Sequence, residues 1–324
     1  MANDFASVAL RCGYVGKLSI MQHDQQQDSL SSSLDHAAEV FLAVRKRLFG
    51  IGYRMLGSAA EAEDLVQEVW LRWQATDRSV VLDPPAFLAT TAVRLSINAL
   101  TSARAKRESY IGPWLPEPVD LSADPSLGAE RTEALSLAVL TLLEKLTPTE
   151  RAAYVLREAF DYAYSRIADI LSLTEANVRQ LVSRARKHVA DSRTTTSVEP
   201  ARHRRLLDAF LHAAQSGDQA ALEALFAADV VSIADGGGVV TAARVPLFGR
   251  ERVARALTAI AAKLWTDVTF AVIPVNGTPS IIIRSEGGLF AVVDIEAGEQ
   301  GISEMRWVMN PAKLASIAAS QGLA

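Results

Sequence analysis

Between Gly112 and Glu130 the chain carries Pro113, Pro116, Pro118 and Pro125. Each proline lacks a backbone donor and holds φ fixed, so four in this span forbid both a helix and a central strand. Residues 112–131 are therefore read as a linker, and the rest of the chain must fold as separate units around it. The linker charges, Glu117, Asp120, Asp124 and Glu130, are all acidic, with no base between Arg107 and Arg131. An extended acidic tether between two basic-edged helical units is expected. Trp114, in the run Trp114-Leu115-Pro116-Glu117-Pro118, does not suit a free tether. A large apolar side chain gains about 1.5–3 kcal/mol only when it is covered, so Trp114 is expected to dock on a neighbouring domain.

Upstream, residues 36–111 read as helix throughout, with Pro84-Pro85 separating an acidic helix and its loop from a second long helix beginning near Ala86. Ser58 followed by Glu61 reads as a capping box, so the acidic helix starts near Ala59 with Leu65, Val69 and Trp73 facing inward. Glu61, Glu63, Asp64, Gln67 and Glu68 lie on it, and no Lys or Arg occurs between Met55 and Leu71. Acids in a first turn suit the helix dipole on their own, so they fit either a solvated face or a basic partner. In the second helix Leu88, Ala92, Leu95 and Ala99 form the expected inward stripe. That leaves Arg94, Asn98 and Thr101 on an outer face, followed by Arg104, Lys106 and Arg107. This face fits solvent, with cations favoured near the helix end. It also fits DNA, with Arg and Lys on phosphates and Asn98 on a base edge.

Four helices are read in residues 132–194. Thr147-Pro148-Thr149-Glu150 is a capping box with proline at the first helical position. A short helix follows from Ser165 to Leu171, with Ile167, Ala168, Ile170 and Leu171 as buried candidates. Ser172-Leu173-Thr174 then turns the chain, and Thr174 caps a helix whose Val178, Leu181, Val182 and Ala185 recur on one face. Glu175, Asn177, Arg179, Gln180, Ser183, Arg184, Arg186 and Lys187 are left for the outer side. A short helix, a tight turn and a longer helix with a polar, basic face make a helix-turn-helix whose second helix fits the major groove.

After Pro200 the pattern changes: two helices, a strand at residues 230–234, the run Asp235-Gly236-Gly237-Gly238, a helix at 250–264, and strands at 268–275, 281–284, 289–295 and 302–309. Asn276-Gly277 is a hairpin signal. Helices followed by an antiparallel sheet indicate an α+β domain over 200–324 with one sheet face covered. Asp235 before three glycines suggests a bend with unusual φ angles. A phosphate loop is rejected because no helix follows Gly238, and Val239-Val240 looks like strand.

The 324 residues suit two or three domains, and 49% hydrophobic residues suffice for their cores. No apolar run of about 18 residues offers a membrane span. The single cysteine, Cys12, excludes an internal disulfide framework and a multi-cysteine zinc site. Residues 1–35 read as a disordered leader, and a cytoplasmic location is expected. The net charge of −4 excludes a uniformly basic coat, but between Thr174 and Arg205 eight Lys/Arg stand against three acids.

Together these motifs resemble the sigma-70 family of RNA polymerase sigma factors, of the extracytoplasmic-function (ECF) type. The run from Ala62 to Glu68 is similar to the region 2 signature, and Thr174 to Arg186 to the region 4 recognition helix. The segment after Pro200 resembles a SnoaL-like cone. Sigma factors that carry one share the Trp114 to Pro118 run, the Asp235 to Gly238 run, and the run Asn310-Pro311-Ala312-Lys313-Leu314. The implied fold is two all-α domains, the second a helix-turn-helix, followed by an α+β cone. The resemblance implies core RNA polymerase and promoter DNA as partners, with no metal, cofactor or enzyme activity. Glu61, Asp64, Gln67 and Glu68 would bind the polymerase. Arg94, Asn98, Thr101 and Arg104 would face the −10 element, and residues 75–83 would capture an unstacked base. The outer residues from Glu175 to Lys187 would meet the −35 element, and the linker would lie in the polymerase's RNA path. Trp114, Pro116, Asp235, Gly236, Gly237, Gly238, Asn310, Pro311, Lys313 and Leu314 would make regulatory contacts.

The chain departs from many relatives at Ala92-Val93-Arg94, where an Ala-Arg-Asn run is common, and at Asn98, where an Asp is frequent. The −10 preference is therefore not carried over. A small-molecule ligand in the cone remains open, with His212, Asp235, Trp265, Arg284 and Trp307 as candidate pocket residues. Two rival readings remain: a cyclase or isomerase linked to DNA, and a helix-turn-helix regulator that acts without polymerase.

Overall fold

The computed structural model describes residues 34–108, 110–120, 136–192, 198–264 and 267–322. Of the expected leader, residues 1–35, all but 34 and 35 lie outside them, and those two already belong to the first helix; the second half of the linker lies outside them as well. The chain opens with α1 (residues 34–56), α2 (Ala59–Ala75) and α3 (Pro84–Glu108). Pro84 and Pro85 sit inside the first turn of α3 rather than ahead of it, and Asp83 accepts from the Ala86 amide at 3.1 Å. Proline fits there because a first-turn amide has no intrahelical acceptor. The inward stripe of α3 runs through Leu88, Ala89, Ala92, Val93, Ser96 and Leu100. Leu95 and Ala99, expected on that stripe, are only half-buried.

The second group comprises α4 (Leu137–Leu143), α5 (Pro148–Glu158), α6 (Tyr164–Leu171) and α7 (Glu175–Ser192). At α5 both halves of the capping box form, with Pro148 in the first turn. Ser172 takes a left-handed conformation (φ 56°) that turns α6 into α7, and Thr174 Oγ1 accepts from the Asn177 amide at 3.3 Å. Leu171, expected buried, is half-exposed.

These groups share one core. A single apolar cluster runs from Phe41, Trp73 and Val93 through Leu156, Ile167 and Val182. Arginines stitch it together. Arg151 donates to Met55 O at 2.6 Å and to Glu144 at 2.6 Å, and Arg47 lies over the rings of Phe160 and Tyr162 at 5.6 and 4.8 Å.

The C-terminal unit has α8 (Pro200–Ser216), α9 (Gln219–Leu225), β1 (Phe226–Asp235), β2 (Leu247–Phe248), α10 (Arg250–Leu264), β3 (Thr269–Val275), β4 (Thr278–Ser285), β5 (Gly288–Gly298), β6 (Gly301–Val308) and α11 (Pro311–Ser320). Its sheet order is β2-β1-β6-β5-β4-β3. The sheet is mixed rather than antiparallel throughout, because β1 pairs parallel to β6 while the other pairs are antiparallel. Both faces are covered rather than one. On one side Phe210, Leu222 and Leu257 of α8–α10 pack on Ile281, Val293 and Met305. On the other, Leu314 and Ile317 of α11 join Leu115 of the linker against Ile282, Val292 and Val308. Val239-Val240 is a turn rather than strand, with both amides donating to Gly236 O at 3.0 and 3.1 Å.

Candidate functional site

On α2, Ala62, Leu65, Val66, Val69 and Trp73 are buried, leaving Glu61, Asp64 and Gln67 exposed. The face is less free of bases than its sequence suggests. Glu68 pairs with Arg72 at 2.8 Å, and Glu63 pairs with Arg45 of α1 at 2.5 Å. The expected capping box is also only half formed. Ser58 accepts from the Glu61 amide at 3.2 Å, but the carboxylate that completes the cap is Glu117 of the linker. Its Oε2 accepts from Ser58 Oγ at 3.0 Å, Ala59 N at 2.8 Å and Ala60 N at 3.4 Å. An anion at a helix N-terminus meets unpaired amides and the positive end of the dipole. Burial still pushes the Glu117 carboxyl above its usual range, against the pull of those donors.

Arg94, Asn98 and Thr101 are exposed along α3; the side chain of Arg104 lies outside those described. Glu175, Asn177, Arg179, Gln180, Ser183, Arg184, Arg186 and Lys187 are all exposed on α7. Its arginines are held by acids of the same unit: Arg179 by Glu175, Arg184 by Glu150 at 3.7 Å, and Arg186 by Glu158 at 2.7 Å. The α3 unit also contacts α6 and the turn that leads into α7. Arg94 donates to Ser172 Oγ at 3.2 Å, and Arg166 of α6 reaches Asp83 at 3.3 Å.

The linker is not a solvated tether over its described part. From Leu115 to Val119 it is buried between α1–α2 and the sheet, and two polar clusters grip it. In the first, Asp235 is fully buried and its carboxylate is saturated. Oδ1 accepts from Tyr110 Oη at 2.6 Å and Gly237 N at 3.1 Å; Oδ2 accepts from Leu115 N at 2.8 Å and Lys313 Nζ at 2.7 Å. Lys313 also donates to Leu115 O at 2.5 Å and lies 4.0 Å from the Trp114 ring centre. Asn310 caps α11, with Pro311 in its first turn, and donates from Nδ2 to Tyr110 Oη at 2.9 Å. Burial, then the Asp235 bond, pushes the Tyr110 phenol far up. Gly237 has φ 63°, and a Cβ there would stand 2.4 Å from Asn310 Nδ2. The Asp-Gly run is thus a bend built to receive Asn310.

In the second cluster, Asn276 (φ 53°) at the β3–β4 turn bonds Val119 like an added strand, N to O at 2.9 Å and Oδ1 to N at 3.0 Å. Its Nδ2 donates to Tyr53 Oη at 2.7 Å, and Tyr53 donates to Glu117 O at 2.6 Å. Gly57, at the α1–α2 corner, receives Trp114, since a Cβ there would lie 2.7 Å from its ring. Trp114 therefore sits between the corner and Lys313, and Pro116 is buried beside it.

The structure does not gather the pocket candidates into one constellation. His212 is exposed on α8, Trp307 packs in the sheet core, Arg284 is half-buried on β4, and Asp235 is consumed by the linker. Trp265 lies outside the described residues. Tyr53, Tyr110, Asn276 and the capping role of Glu117 were not read from sequence. For Asn276 only its turn was visible, and neither tyrosine carries a local signal.

Models of sigma-70 region 2 and region 4 match residues 40–106 and 136–189. The ECF RNA polymerase sigma factor SigJ of Mycobacterium tuberculosis is 37% identical over 219 residues, 66% of this chain and 70% of the relative. The probable ECF sigma factor SigI of that species is 30% identical over 299 residues, 90% of this chain and 99% of the relative. The SigJ crystal structure aligns with a TM-score of 0.69 at 31% identity, over 86% of this chain and 98% of that one. This chain belongs to the ECF RNA polymerase sigma factors, promoter-recognising proteins that here carry a SnoaL-like domain after regions 2 and 4. The relatives named are sigma factors rather than enzymes. No helix among the described residues is long and apolar enough to cross a membrane.

Proposed function

We propose that this sigma factor binds core polymerase through Glu61, Asp64, Gln67 and Glu68 of α2. The same reading gives the −10 element to Arg94, Asn98, Thr101 and Arg104 of α3, and the −35 element to α7. Its C-terminal domain holds it in a closed form by gripping the linker. The observation that carries this regulation is the contact between Arg94 and Ser172 at 3.2 Å. The names of the two promoter elements imply roughly 25 base pairs between them, or roughly 80 Å at about 3.4 Å per pair. Helices α3 and α7, held in one core with Arg94 bonded to the turn that leads into α7, do not span that distance, so initiation requires them to part. A linker drawn into the polymerase's RNA path has to leave Asp235 and Asn276, which couples core binding to opening.

Among the described residues, a place for a regulatory ligand is a cleft of about 480 Å³ lined by Arg45, Phe49, Glu117, Val119, Ala312 and Ala315. Its volume is in the range of small-molecule sites, about 300–1,000 Å³, and an occupant there would bear directly on the linker.

Replacing Asp64 and Glu68 with Lys abolishes association with core polymerase while the far-UV spectrum stays that of wild type. The Glu68–Arg72 pair is exposed, and such pairs contribute at most about 1 kcal/mol, so folding survives its loss. Unchanged core binding by the double variant removes the α2 assignment. Absence of promoter-dependent initiation with core removes the whole reading.

A further inference from the structure

Tyr164 has no part in the roles assigned above, yet three arginines converge on it. It opens α6 half-buried, against the shared core. The Arg179 guanidinium of α7 lies 4.3 Å from its ring centre, and that of Arg157 of α5 lies 4.9 Å away. Arg186 lies near its phenol, and its guanidinium donates to Glu158 Oε1 from Nε at 3.1 Å and Nη2 at 2.7 Å.

The three cations are not equivalent. Arg157 is tied to Tyr162 O at 2.9 Å and Asp161 at 3.1 Å, and Arg186 is gripped by Glu158. Arg179 has one Nη2 contact, to Glu175 one turn earlier on the same helix. The rest of its N–H edge is open, and more than half of its side chain is exposed. A guanidinium laid on an aromatic ring loses rotamer freedom before any DNA arrives. Its in-plane donors stay available, which is the geometry for two parallel bonds to guanine O6 and N7.

We infer that Tyr164 is a specificity-positioning residue, an aromatic platform that preorders Arg179 to read one guanine-containing base pair of the −35 element. The inference rests on the assignment of α7 to that element. Arg186 and Arg157, anchored at the rim of the platform, are left to phosphates.

The test uses holoenzyme made with full-length protein, and equilibrium binding to promoter duplexes in which each −35 base pair is replaced in turn. Arg179→Ala flattens the preference at one base pair. Tyr164→Leu reduces discrimination at that same pair by about fivefold, the low end of what a bidentate base contact provides. It leaves affinity for a duplex with a scrambled −35 element unchanged. Tyr164→Phe keeps the ring, removes the hydroxyl near Arg186, and retains wild-type discrimination. Equal weakening on every duplex by Tyr164→Leu, or an unchanged profile, overturns the inference. If Arg179→Ala itself leaves every −35 position unaffected, the α7 assignment for this residue fails and the platform has nothing to position. A Tyr164→Phe profile like that of Tyr164→Leu transfers the role from the ring to the phenol and also overturns it.

Discussion

Asp235 is fully buried, and a carboxyl group in that position survives only when its lone pairs are used. Four donors use them: Leu115 of the linker, Tyr110 just ahead of it, and Gly237 and Lys313 of its own domain. The sequence showed an acid before three glycines and suggested a bend, which is what Gly237 and Gly238 supply with φ 63° and 73°. It did not show what the bend was for, because Tyr110 and Asn310 are distant in the chain. Replacing Asp235 with Asn keeps the shape and leaves Lys313, whose side chain is only 12% exposed, without its partner carboxylate. Breaking one side of a buried pair costs about 3–5 kcal/mol. The expected result is a matching loss of hydrogen-exchange protection at the Leu115 amide, with the α5 amides of the helical core much less affected.

The linker and the helix it caps show where local reading stops. Its prolines ruled out helix and strand, and the described part is extended. Its acids suggested solvation, yet Glu117 is buried on the N-terminus of α2 and Asp120 accepts from Ser320 and Gln321 of α11 at 3.1 Å each. A charge pattern gives sign but not partner. Glu117 also gives the closed form a pH dependence. Burial raises its pKa from the ordinary 4.5, so the closed state holds the proton more tightly than the opened chain does. Stability from this group is therefore greatest below pH 4.5 and falls as pH rises through the window above that value. Glu117→Gln keeps an acceptor for the α2 amides and removes the titration. Its denaturation midpoint should vary less with pH than that of wild type. Glu304, also pushed up by burial, leaves a residual slope of the same sign. Helix α11 carried a legible start, Asn310 before Pro311, but was not read as a helix. The parallel β1–β6 pairing has no local signature at all.

Three units held in one closed body make a prediction about distance. Labels at Asn98 on α3 and Lys187 on α7, both exposed, report the separation of the two promoter faces. Energy transfer between them should be high in the free protein and fall when core polymerase is added. Asp235→Asn should lower it without polymerase, because the linker is then released. High transfer in the holoenzyme would show that the faces do not part. Most of the helices, the α5 cap, the helix-turn-helix and the family were legible in the chain because capping, periodicity and short motifs are local properties. Which residues hold the linker, that regions 2 and 4 share a core, and that β1 lies parallel to β6 were decided only in three dimensions. Each depends on contacts such as Tyr53 with Asn276 and Asp235 with Tyr110, more than a hundred residues apart. Burial, not spacing, selects such partners, since a buried polar group accepts whichever donor the fold brings within reach.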